Sequence, residues 1–95
     1  MEIAQIDKTI KRLDKEDGDE ARNRKLDLCF DLMRKYSNIA KDFRSEEDHR
    51  ALSFAVKVLD KNVFKCKDRI KDFIKNEQMS IPNSLRLVLG QIILS

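Results

Sequence analysis

Two residues in this sequence have the parts for chemistry on a phosphate ester: Arg44 and, five positions on, His49. A guanidinium can grip phosphate oxygens in pairs, and an imidazole can carry a proton near neutral pH. Little else supports catalysis. His49 is the single histidine in 95 residues, and there are only two glycines, so no Gly-rich phosphate loop can be built. Cys29 and Cys66 fall in apolar helical patterns, where a thiol stays protonated and inert. Two cysteines without framework spacing suit a reducing compartment, although a bond between them across packed helices stays open. A metal site would need His49 and both cysteines to converge with a fourth ligand, and their spacing gives no reason for that. The acidic Asp17-Gly18-Asp19 invites a calcium reading, but Leu13 and Lys15 stand where an EF-hand loop has its first ligands. The paired carboxylates lie on faces that read as solvated. The sequence therefore predicts no catalytic residue, no metal and no cofactor, and it reads Arg44 as a surface side chain with His49 at a helix start.

A second group is basic. Lys57, Lys61 and Lys65 recur every four residues, and Lys67, Arg69, Lys71 and Lys75 follow. Spacing of four stacks the first three ammonium groups on one helix face. Asp60, Asp68 and Asp72 interrupt the run and no aromatic stacking platform accompanies it, which disfavours nucleic acid. Residues 1–48 hold 11 basic and 13 acidic side chains, a net of −2, and residues 49–95 hold 9 basic and 4 acidic, a net of +5. The second half alone favours an anionic partner or an anionic membrane face.

The elements that must position these groups are helices. The chain is 41% hydrophobic and 39% charged with one proline, which excludes collagen-like and most disordered classes and leaves too few turn formers for an all-β fold. Its length suits one domain, residues 1–95. Ile3, Ile6, Ile10 and Leu13 predict a first helix over about 2–16. Gly18 ends it and Asp19 is placed to cap the next. Leu26, Cys29, Met33, Tyr36, Ala40 and Phe43 predict a second over about 20–43. Leu28, Phe30, Leu32 and Ile39 widen its stripe, so it should touch more than one neighbour. Ser45 with Glu46, Glu47 and Asp48 predicts the start of a third helix. That helix is carried to about 77 by Leu52, Ala55, Leu59, Val63, Cys66, Ile70 and Phe73, with a bend expected near Asp60-Lys61-Asn62. Pro82 stops it and opens a fourth over about 82–94, where Leu85, Val88, Leu89 and Ile92 form the stripe. Leu87, Ile93 and Leu94 lie off that stripe and mark either deep insertion or a partner site. Short connections then predict an all-α, antiparallel, up-down four-helix bundle with a long third helix and a short C-terminal fourth.

The N-terminus, Met1-Glu2-Ile3-Ala4-Gln5, lacks the basic segment and apolar run of a signal peptide. No stretch approaches the roughly 18–20 apolar residues of a membrane span. A cytoplasmic location is expected, with a peripheral position at the inner membrane face open to the basic half.

This layout resembles the immunity proteins of class IIa, or pediocin-like, bacteriocins. The resemblance runs over about residues 10–93. It rests on the Asp17-Gly18-Asp19-Glu20 connection, the Cys- and Leu-rich second helix, the long third helix, and Ile81-Pro82-Asn83-Ser84-Leu85 opening the last helix. It implies a four-helix bundle that protects the producing cell from its own antimicrobial peptide without enzymatic activity. It further implies protein binding at the complex of bacteriocin and mannose phosphotransferase permease, through the C-terminal half. The residues assigned to partner binding are Lys57, Lys61, Lys65, Lys71, Lys75, Arg86, Leu87, Ile93 and Leu94, with no nucleic acid and no small-molecule substrate. Two alternatives stand beside it. One is a helical adaptor or regulatory binding protein, such as a secretion chaperone or phage-encoded modulator. The other is an RNA-cleaving module of the HEPN type, small all-helical ribonucleases that carry an Arg-x4-His pair. Here Ser45 follows Arg44 where that group has a more polar amide or acid.

Overall fold

The computed structural model describes residues 2–94, and among them it contains helices and no strand. Helix α1 spans Ile3–Leu13 and buries Ile3, Ile6, Ile10 and Leu13, the stripe read from their spacing. It stops at Leu13, short of the expected residue 16, and a turn leads to Gly18. The φ of Gly18 is +109°, a conformation that a Cβ would strain. Gly18 itself is the residue before α2, which runs Asp19–Asn38. Asp19 is therefore not the cap. It sits inside the first turn and pairs with Arg22 at 2.8 Å.

Helix α2 is the centre of the molecule. It buries Leu26, Leu28, Cys29, Phe30, Leu32, Met33 and Tyr36 and packs against both α1 and α3. A third neighbour is met through Phe30, whose ring lies 5.6 Å from that of Phe73. The expected continuation to residue 43 does not occur. Ile39 and Ala40 are extended, Lys41–Phe43 form a 3-10 turn, and Phe43 is 80% exposed rather than part of the seam. Arg44 seals this end. Its Nε donates to the Tyr36 carbonyl at 3.2 Å, which also accepts the Ile39 N–H, and its Nη2 to the Ser37 carbonyl at 3.4 Å.

Helix α3 (Glu46–Lys61) starts where the sequence placed it. Ser45 Oγ accepts from the Asp48 N–H at 3.1 Å, and the Ser45 N–H donates back to Asp48 Oδ2 at 3.0 Å, a reciprocal cap. Its buried face is Ala51, Ala55, Val58 and Leu59, and the two alanines let α1 and α2 approach closely. The expected bend is a break. Asn62 leaves helical geometry (φ −114°, ψ 23°), and its side-chain amide donates to the Val58 carbonyl at 2.8 Å. Helix α4 (Val63–Asn76) then begins and buries Cys66, Ile70 and Phe73. An unbroken 32-residue helix would span roughly 48 Å, more than the 37 Å long dimension of the molecule. Helix α5 (Asn83–Leu94) packs along α4 and buries Leu85, Leu89 and Ile92. The five helices share one core in a bundle only 18 Å across its thin dimension.

Ala51, Ile81 and Lys25 are buried although no stripe read from the sequence includes them. Lys25 is buried on α2, with its ammonium held by Asp14 at 3.1 Å. A charge in that position is tolerable only when paired.

Candidate functional site

Two regions bring together groups capable of recognition. The first is built by α3 and α5. A groove of about 290 Å³ runs between them, lined by Leu52, Val56, Leu85 and Val88 with Ser53, Lys57 and Ser84. Leu87 and Leu94 are seven residues apart, hence on one face of α5, and they are 68% and 86% exposed. Large apolar groups left in water on an ordered helix mark a surface that gains from being covered. Ile93 differs from these two, because it packs partly against the core.

The lysines assigned from the sequence are all exposed. The break at Asn62 divides the expected ladder, with Lys57 and Lys61 on α3 and Lys65, Lys71 and Lys75 on α4. Lys57 lines the apolar groove. Lys61 reaches Asp14 at 3.8 Å. Among the described residues no ion pair engages Lys57, Lys65, Lys71 or Lys75. Lys71 and Lys75 share the outer face of α4 with Phe64, which is 96% exposed and which the sequence reading passed over. Arg86 is different again. Its guanidinium folds back and donates to the Gln78 carbonyl, so it closes the turn between α4 and α5.

The second region collects Arg44 and His49. The half-buried Arg44 corrects the expectation of a surface side chain, while His49 is exposed in the first turns of α3 as read. Tyr36 joins them. Its hydroxyl lies 2.8 Å from His49 Nδ1, and its ring is covered by the Arg44 guanidinium at 4.7 Å. The three residues line an open cavity of about 560 Å³ with Lys41, Ser80, Pro82, Asn83 and Ser84. The sequence could not show this meeting, because the walls come from segments more than thirty residues apart. The Arg44 donors that bond the end of α2 and the His49 nitrogen that meets Tyr36 are engaged in structure, and the lining of the cavity includes no carboxylate.

Comparison with family models, with curated proteins and with solved structures finds no match for this chain.

The remaining chemistry is quiet. Cys29 and Cys66 are buried and free. Burial pushes the Cys29 thiol up to about 12, with nearby Lys25 acting weakly in the other direction. Cys66 is also raised by burial, and its Sγ donates to the Asn62 carbonyl at 3.3 Å. Among the described residues no group of His, Cys, Asp and Glu is gathered for a metal ion, and no helix is long and apolar enough to cross a membrane.

Proposed function

We propose that this chain acts by binding, as an immunity protein of the class IIa bacteriocin type that protects a producing cell from its own pediocin-like peptide. The observation that carries the reading is the surface of α5, where Leu87 and Leu94 stand in water, together with the apolar groove between α3 and α5 that Lys57 helps to line. Covering a leucine side chain is worth roughly 1.5–3 kcal/mol, so two leucines offer about 3–6 kcal/mol toward the cost of holding a partner. The net charge of +5 on residues 49–95 supplies that attraction toward an anionic membrane face. In this reading α3 and α4 count as one bent arm of an up-down four-helix bundle. The partner is the permease–bacteriocin complex of the mannose phosphotransferase type, met from the cytoplasm, with no chemical step.

The test is expression in a sensitive bacterium challenged with a panel of pediocin-like peptides. Raised tolerance to at least one peptide, lost in Leu87→Lys with Leu94→Lys, supports the reading. Unchanged killing across the panel removes it. Capture of a soluble protein without any permease component turns the assignment to a regulatory adaptor that uses the same surface.

A further inference from the structure

We propose that the cavity between the end of α2, the 3-10 turn, the start of α3 and the start of α5 is a binding site for a phosphate group. Lys41, Arg44 and His49 line it, and no carboxylate does. A space of about 560 Å³ lies within the range of ordinary ligand sites. The proposal is independent of the docking surface on α5, since it uses none of the same residues except Ser84, which lines both openings.

Two of the donors, Arg44 and His49, are held before any ligand arrives. Arg44 is clamped by two carbonyls of α2 and by the Tyr36 ring, and neither clamping bond uses Nη1. His49 is held through Nδ1 by Tyr36, which leaves Nε2 outside that contact. A fixed donor loses little freedom on binding. The opposite wall supplies the hydroxyls of Ser80 and Ser84 and the amide of Asn83. There α5, a twelve-residue helix, begins with no acidic side chain in its first turn, so the positive end of its dipole is not offset locally. The start of α3 makes the contrast. Its free amide is already taken by Ser45, and three acids fill its first turn.

Phosphate suits a lining with donors on several sides. A carboxylate presents two oxygens in one plane, whereas a phosphate presents its oxygens tetrahedrally and can accept from more than one direction. Two sources share that chemistry: a soluble phosphate ester and a phospholipid headgroup at a membrane face.

The experiment is an NMR titration of the full chain with inorganic phosphate at constant ionic strength, with chloride as control. The readout is the His49 ring and the backbone amides of Asn83, Ser84 and Leu85. Saturable shifts are expected. Lys41→Gln, at an exposed position, and His49→Gln should each weaken the apparent affinity about 3–10-fold, while Lys67→Gln, exposed on α4, leaves it unchanged. A second arm adds phosphatidylglycerol vesicles. Release of vesicle-bound protein by phosphate identifies the headgroup as the source, and saturable phosphate binding without vesicle binding identifies a soluble ester. Shifts that grow linearly, that chloride reproduces, or that persist unweakened in both Lys41→Gln and His49→Gln overturn the proposal.

Discussion

Replacing Leu89 and Leu87 by alanine, one at a time, separates what holds α5 in place from what α5 offers to a partner. The two side chains are two positions apart on the same helix, yet Leu89 is 0% exposed and Leu87 is 68% exposed. Truncating a fully buried leucine removes its transfer free energy and leaves a cavity, at a cost of about 2–5 kcal/mol. A domain of this size has only about 5–15 kcal/mol in hand, so Leu89→Ala takes a large share of it. At about 3 kcal/mol the melting temperature should fall by roughly 12–24 °C. For Leu87 only about a third of the side-chain area leaves water on folding, which limits the loss to about 0.5 kcal/mol, and the better helix propensity of alanine offsets part of that. Urea unfolding followed by circular dichroism at 222 nm measures both. Leu89→Ala should shift the midpoint strongly and Leu87→Ala hardly at all, with equal slopes. Comparable losses in the two variants would refute the orientation of α5 and, with it, the exposed leucine face on which the binding function rests.

Three further outcomes are expected. Cys29 and Cys66 should resist a water-soluble thiol reagent in the native protein and both react in denaturant. Because the Cys29 thiol is pushed to about 12 against an ordinary 9.0, the unfolded chain ionises first, so this group's stabilisation is complete below pH 9 and declines as pH rises toward 12; rapid native labelling at neutral pH would contradict the packing of α2 on α4. Ser45→Ala should cost about 1 kcal/mol in urea unfolding by removing the cap of α3, and no loss would mean that the cap contributes nothing to holding this turn. RNA incubated with the protein should remain intact, and cleavage that disappears in Arg44→Ala and His49→Ala would replace the binding function with a nuclease.

The features legible in the sequence share one property: their cause lies within a few residues. The stripe of α1 needs only its own spacing. The start of α3 is written in Ser45 and Asp48, whose reciprocal bonds span three positions. The stop before α5 is written in Pro82. The bend near Asn62 was visible as a weak point in an overlong pattern, and its reality as a break follows from a side chain that competes for a helix carbonyl. By contrast, α2 looked four or five residues longer than it is, because Ala40 and Phe43 continue the apolar register. The chain turns after residue 38, and Arg44 reaches back from beyond that turn to the Tyr36 and Ser37 carbonyls, a contact that no periodicity records.

By itself the sequence determined that this protein is helical, where most helices begin, and which face of α1, α3 and α4 turns inward, since backbone hydrogen bonds close locally and an apolar stripe defines its own side. Only the tertiary structure decided how those faces are shared. It buried Lys25 against Asp14, left Val88 of the expected α5 stripe 40% exposed, and brought Tyr36, Arg44, His49 and Ser84 around one cavity. The physical reason is that apolar attraction is non-directional. An apolar stripe names the side that hides but not the neighbour that covers it.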